Sequence, residues 1–406
     1  MTDANTSSRV AEDFSTERSG RFALPTQYQR ALASMGAFPV RLWNGETMNL
    51  VARYEEVRQV LTSQAFSAVP TAGGYPIIAP TYAALAQEKA NFLQQDDPGH
   101  QHFRRMIAPM FTAPKVERLR PRFQAILRDL YDDMERKGAP FNFFQDFALV
   151  FPSIVICELV GIPFEHMPVV HESTKVRLDL SADRETVLAA GRRSAELMKQ
   201  LIDERLRVES GTDDLMGYLV EKHLRPGTIS PDDAVAILQV VAQAGHETTA
   251  NAIAVGTYVL LTQPHQGDKL RKDPTLSKTA VEEILRYTNI PQVAVLRAAK
   301  EDVQVGETTY PQGSGVMASI ISANHDPEIF ESPDDFDIER SPNPHLTFTT
   351  GIHACLGQGV ARLELNLVFE TLFERFPDLR LAVPAEEIRF REDSKAYGVW
   401  ELPVEW

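Results

Sequence analysis

One stretch, Pro231 to Gln263, limits what this chain can fold into more than any other. Ser230 stands where an N-cap belongs and Pro231 suits the first helical position. Asp232 and Asp233 suit the positive end of the helix dipole, and Pro264 stops the run. At ~1.5 Å per residue, about 33 residues make a helix of roughly 50 Å, enough to cross a whole globular molecule. A membrane span uses similar lengths, but Gln239, Gln243, His246, Glu247, Thr248, Thr249 and Asn251 cluster at the middle, where a bilayer tolerates them least. A helix that is apolar nearly all round yet polar at its centre reads as one wall of an internal site.

The rest of the chain has to pack around that helix. Its 406 residues, 43% hydrophobic and 24% charged, describe a globular, soluble chain with a large core. With 41 basic against 56 acidic residues the formal charge is −15, which argues against a general nucleic-acid surface and against an anionic membrane. Two cysteines, Cys157 and Cys355, are too few for a disulfide framework. Met1 to Gly20 is polar and of mixed charge, without the apolar run of a signal peptide or anchor. A disordered lead over residues 1–21 is therefore expected, then one body over 22–406. The cytoplasm is the expected compartment and a monomer the expected state.

Local patterns predict a hairpin from Pro39–Trp43 and Met48–Ala52 about an Asn44-Gly45 turn, then a helix over Tyr54–Thr62. The proline- and glycine-bearing stretch from Phe66 to Leu93 is long enough to be a functional loop. From Val116 to Gln200 the pattern is helical, broken at Gly161-Ile162-Pro163. Within it, Phe141, Phe143, Phe144, Phe147 and Phe151 read as core, and so does Cys157. With neither repeat nor linker, the chain reads as one mainly α domain with small β-sheets.

Three further segments carry chemistry. Asp96-Asp97-Pro98 opens a helix on which His100 and Arg104, four apart, share a face, while His102 lies about 200° away. Glu283 and Arg286, three apart, share a face of a later helix. Last comes Phe348-Thr349-Thr350-Gly351-Ile352-His353-Ala354-Cys355-Leu356-Gly357, in which two glycines flank a thiol just ahead of a helix beginning near Gln358. A lone cysteine is more often a small buried apolar residue than a ligand. The glycine and aromatic spacing around Cys355 favours the ligand.

Taken in this order, the segments resemble the cytochrome P-450 superfamily over nearly the whole chain, from Pro39 to Trp400. The resemblance implies a single-domain fold whose long central helix crosses over heme b, with Cys355 as proximal iron ligand in the loop bearing Phe348, Gly351 and Gly357. His100, Arg104, Arg297 and His353 match the residues that bind the heme propionates. In Ala244-Gly245-His246-Glu247-Thr248-Thr249, Ala244 and Gly245 match the oxygen groove, and Thr248 and Glu247 the alcohol and acid that relay protons. Glu283, Arg286 and Arg340 match a structural ion-pair network. Thr349 and Thr350 depart from the family, standing where a glycine-rich pair is usual.

The function so implied is that of a soluble bacterial-type monooxygenase. It would activate dioxygen with two electrons from a separate ferredoxin or flavodoxin-type donor and its reductase, and oxidise a mostly apolar small organic substrate. Glu247 and Thr248 favour this over a nitric oxide reductase of the same fold or a peroxide-driven relative. A non-enzymatic heme-thiolate gas sensor is the alternative from another class. Val240, Val293 and Ala294 are expected to line the substrate pocket. Gln243 is expected either to orient a polar group of the substrate or to bond within the protein. Arg104, Arg105, Lys115, Arg118, Arg120 and Arg122, against the single acid Glu117, suggest a docking face for an acidic ferredoxin.

Overall fold

In a computed structural model of the chain the helix expected from the caps runs Pro231–Thr262. The structure describes residues 11–34, 36–86, 90–208, 211, 213–288, 290–293 and 295–406. In chain order the helices that build the site are α1 (Tyr54–Thr62), α2 (Gly99–Ile107), α3 (Ala113–Arg118), α4 (Arg120–Lys137), α5 (Val150–Val160), α6 (Met167–Leu178), α7 (Arg184–Leu206), α8 (Pro231–Thr262), α9 (Ser277–Tyr287) and α10 (Gln358–Arg375). A reciprocal capping box starts α8: Ser230 Oγ accepts from the Asp233 N–H, and the Asp233 carboxylate accepts from the Ser230 N–H. From Ala250 to Leu260 every residue of α8 is buried, because α5, α7, α6 and α10 pack around it. This explains an apolar composition on all faces without a membrane. Among the described residues no single helix is long and apolar enough to cross one.

The small β component is one six-stranded sheet in the order Glu12–Asp13, Pro39–Arg41, Thr47–Val51, Gly315–Ala318, Leu296–Ala299, Phe66–Ser67, with a three-stranded and a two-stranded sheet beside it. The hairpin forms as predicted, with Val40 opposite Met48 and Gly45 at φ 83° in the turn. Helix α5 ends where expected, Gly161 taking the left-handed C-cap. The phenylalanines from Phe141 to Phe151 and Cys157 are buried in the main core. Burial pushes the Cys157 thiol up to about 12, which leaves it inert.

Two expectations are corrected. The disordered lead does not extend through the described part of residues 1–21. Glu12–Asp13 pairs in parallel with Val40 and Arg41, Arg18 lies 3.9 Å over the Tyr397 ring, and Arg21 bonds the Tyr258 hydroxyl and the Ala385 carbonyl. Its polar composition reads as solvated because each partner lies far along the sequence. Residues 1–10 lie outside the described residues. Pro98 does not open α2 either: it takes the N-cap position, and the first helical residue is Gly99.

Candidate active site

The cysteine loop is a tight reversal. The Cys355 N–H donates to the Phe348 carbonyl at 2.8 Å and the Thr349 N–H to Leu346 at 2.7 Å, so the thiol is delivered one turn before α10 begins. Gly351 sits at φ 75°, and a Cβ there would come 2.6 Å from the Leu61 carbonyl oxygen at the end of α1, so only glycine fits. Thr349 reaches the same reversal from the left-handed region, φ 57°, with its hydroxyl donating to the His353 carbonyl at 3.2 Å. The departure at this position thus leaves the loop closed but adds backbone strain.

Cys355 is exposed to an interior cavity, with protein close on its other sides. Burial pushes the thiol above its usual range, while the Gly357 and Gln358 N–H groups at the start of α10 and the Arg104 and Arg362 guanidinium groups act in the opposite direction. Such a setting stabilises a thiolate once a metal ion takes the proton's place.

From α2 two side chains hold this loop. His100 is buried, with Nδ1 2.7 Å from the Phe92 carbonyl oxygen and Nε2 2.9 Å from that of Ile352. Arg104 donates to the Ala354 carbonyl at 2.6 Å. The His353 ring lies 4.0 Å from that of His100, and its Nδ1 is buried without a partner. Burial first, then Arg297, His100 and Arg104, push His353 down to about 3. Arg297, on the strand Leu296–Ala299, donates to the Leu296 carbonyl and acts electrostatically on His353. Four sequence-predicted residues are therefore gathered on one side of Cys355, while His102 is exposed on the opposite face of α2.

Helix α8 forms the facing wall. Val240, Val241, Ala244, Gly245, Thr248 and Thr249 line the cavity, and Ala244 and Thr248 are exposed in mid-core because they face it. The Thr248 hydroxyl donates to the Ala244 carbonyl at 2.9 Å. The close approach at Gly245 is made by α5: an added Cβ would come 2.4 Å from Ile156 Cδ1. The glycine therefore serves helix packing as well as any ligand.

Three residues assigned to the site lie away from the cavity. The Glu247 carboxylate does not line the cavity but is buried in an ion pair with Arg391 at 2.5 Å, on the side of α8 that faces His171 of α6. Arg391 also donates to Asn251, which returns a bond to the Glu247 carbonyl at 2.7 Å. Gln243 donates to Ser173 of α6 at 3.1 Å and is absent from the lining, so the protein-internal alternative is the one realised. Val293 packs in a separate core cluster with Leu296 and Met317, and Ile290 and Pro291 reach the cavity instead. Ala294 lies outside the described residues. Helical spacing fixed which residues share a face of α8, but the position of α6 decided which face meets the cavity.

The ion-pair network is complete. Arg286 and Glu283 are fully buried, and all five guanidinium protons of Arg286 are used, by Glu283 and by the carbonyls of Asn324, Pro333 and Asp335. Glu283 also accepts from Arg340, Asn343 and the Asp337 N–H. Sequence reasoning missed the neighbouring Glu282, which joins His345 at 3.0 Å and Arg362 of α10 at 2.7 Å. Burial opposes its ionisation, yet those two partners hold Glu282 down to about 2. It also missed Glu364, buried at the cavity wall, which burial pushes well above the usual carboxylate range. Arg362 carried a signal, standing two helical turns after Cys355; Arg391, remote in sequence, carried none.

The cavity volume is about 360 Å³, within the ~300–1,000 Å³ of an ordinary small-molecule pocket. Its walls are mostly apolar, and Gly357 leaves open space where a Cβ would meet nothing within 4 Å. A thiol on one face, an unpartnered imidazole nitrogen and half-buried guanidinium groups at one edge, and a smooth helix wall opposite suit a flat, dianionic iron porphyrin. The comparisons with known proteins agree. The Cytochrome P450 family model matches residues 172–378. The chain is 41% identical over 365 residues to cytochrome P450-SU2 of Streptomyces griseolus, covering 90% of this chain and 89% of that protein. It is 37% identical over 406 residues to pentalenic acid synthase of Streptomyces avermitilis, covering 100% of both. The crystal structure of CYP105P1 in complex with filipin I superposes with a TM-score of 0.91 at 37% identity, covering 98% of this chain and 99% of that one. The chain therefore belongs to the cytochrome P450 family and is a heme-thiolate monooxygenase, an oxidoreductase that works with heme, dioxygen, a substrate and a redox partner.

Proposed function

We propose that Cys355 ligates heme b and that the enzyme hydroxylates a mostly apolar small organic substrate held between the cysteine loop and the Val240–Thr248 face of α8. The single observation that carries this reading is the placement of Cys355 and Thr248 on one apolar cavity. Heme bound there supplies dioxygen binding and reductive oxygen insertion. His100, Arg104, Arg297 and His353 hold its acidic edge; the unbonded His353 Nδ1 supports that role. Thr248 brings its hydroxyl to the cavity that Cys355 faces. Glu247, facing away, has to leave Arg391 before its proton can reach the cavity, so Arg391 limits when the acid acts. Glu283, Arg286 and Arg340 are structural.

The substrate class is supported by the lining, in which Val240, Val241, Val155, Leu159 and Ile290 offer no charge. It is further supported by one relative named for the synthesis of pentalenic acid and another whose crystal structure holds filipin I. Relatives so named do not favour the nitric oxide reductase or gas-sensor alternatives. A ferredoxin-type donor, a monomeric state and a cytoplasmic location complete the proposal; the last is supported by two unpaired cysteines. Two measurements test it. Cys355→His is expected to abolish the red-shifted Soret band of the reduced carbon monoxide complex, and retention of that band would falsify the ligand assignment. A panel of organic ligands scored by the low-to-high-spin shift, followed by product analysis, is expected to find apolar compounds that gain a hydroxyl. A panel answered only by charged compounds contradicts the pocket.

A further inference from the structure

Outside the cavity, on the far face of α8, three polar atoms point at one another without a hydrogen bond: His171 Nδ1, His246 Nε2 and Glu247 Oε2. His171 Nδ1 is 3.4 Å and His246 Nε2 4.0 Å from the same carboxylate oxygen, and all three atoms lie within 4.8 Å of one another. His246 and Glu247 are 0% and 1% exposed, so water does not reach their unbonded atoms from bulk solvent. Three polar atoms that face each other in the core without a hydrogen bond are costly unless something joins them.

The surroundings are those of a ligand set. His246 Nδ1 lies 3.0 Å from the Ala242 carbonyl oxygen, an acceptor that fixes the proton on Nδ1 and leaves Nε2 as a lone pair aimed at the cluster. Arg391 holds the other oxygen of Glu247, Asn251 holds Arg391, and the carboxylate therefore cannot turn to find another donor. His171, about one-third exposed, also lines a surface pocket with Ser153, Phe164 and Glu165, so the cluster lies one side chain from solvent.

We propose that His171, His246 and Glu247 form a second metal site, for one divalent transition ion of the zinc class. Two nitrogens and one carboxylate oxygen are the donors that such ions take, whereas calcium and magnesium prefer oxygen alone. Bonds of about 2.0–2.2 Å place tetrahedral ligands roughly 3.3–3.6 Å apart, so the separations of 3.4 and 4.0 Å from Glu247 change by less than about 1 Å and the one between the two rings, at most 4.8 Å, closes by up to about 1.5 Å on binding. Arg391 neutralises the carboxylate, which makes the site weaker than the same donors without it and removable by a chelator. Occupancy fixes Glu247 on the side of α8 away from Thr248. The assignment itself needs no assumption about the oxidation.

The heme-loaded enzyme, free of any polyhistidine tag, is stripped with chelator, equilibrated with zinc and gel-filtered. One zinc per chain is expected, with an absorption fine structure of nitrogen and oxygen neighbours and no sulfur. By calorimetry His171→Ala, at a partly exposed position, weakens zinc binding at least about tenfold. His246→Gln does the same, and the carbon monoxide band of each variant reports that the fold persists. No retained zinc, binding that neither variant weakens, or a sulfur neighbour overturns the site.

Discussion

Thr248 and Thr349 show how differently one residue type is used at two points of the same cavity. Thr248 bonds back to the Ala244 carbonyl, a role that any helix could give a threonine, yet it is also the hydroxyl exposed opposite Cys355. If proton supply is its function, Thr248→Ala leaves the substrate-induced spin shift intact and lowers product formed per electron pair by about tenfold or more, the remainder appearing as hydrogen peroxide. Unchanged coupling assigns Thr248 to helix packing alone. Thr349 closes the loop's reversal with a β-branched side chain at φ 57°, where L-residues lose about 1–2 kcal/mol. Thr349→Gly is therefore expected to stabilise the folded protein by about 1 kcal/mol in denaturant titration, net of its lost bond to His353. A destabilised variant shows that this bond outweighs the strain.

Between elements, buried charge ties the cysteine helix to the rest. Glu283 and Arg286 satisfy each other within α9, and removing one partner of such a pair typically costs ~3–5 kcal/mol, since the other is left charged in the core. Glu282 instead reaches outward, fastening α10 to α9 through Arg362 and holding the segment before the loop through His345. Its carboxyl falls from an ordinary 4.5 to about 2 in the folded protein. The stabilisation is therefore fully present above about pH 4.5 and lost as pH falls toward 2, because only then does the folded form take up the proton. Glu282→Gln should cost about 1–3 kcal/mol at pH 7, as followed by urea unfolding. The deficit should narrow steadily below pH 4.5, and a deficit independent of pH contradicts the ionic account.

On the scale of the whole molecule, a chain of net charge −15 has to bring an electron donor near one buried thiol. The basic run from Arg104 to Arg122 is smaller in effect than its count suggests. Arg104 is turned to the loop, Arg120 is paired with Glu117, and Arg122 with Glu158. Arg105 and Arg118 remain exposed, and α3, which carries Arg118, packs on α10 just beyond Cys355. Arg118→Glu should weaken affinity for an acidic ferredoxin several-fold at low ionic strength, with the difference shrinking near 0.15 M salt, where charges are screened beyond ~8 Å. Kinetic titration of the donor reads this directly. Insensitivity to both charge and salt moves the docking face elsewhere.

The long helix, its ends and its polar centre, the reversal at Gly351 that delivers Cys355, and the pairing of Glu283 with Arg286 were legible from neighbouring residues alone. These signals act over a few residues: a cap satisfies its own helix, a glycine admits its own backbone angle, and residues three or four apart meet wherever the helix lies. Order at Arg18 and Arg21 was not foreseen, Glu247 and Val293 lie off the cavity, and Gln243 takes the bond within the protein. In each case the deciding partner lies far away in the chain: Tyr397 and Tyr258, Arg391, Ser173, and the Met317 cluster. Only the tertiary structure decided which side of α8 faces the cavity and which faces α6. A helix fixes the angles between its side chains, but its rotation about its own axis is set by what packs against it.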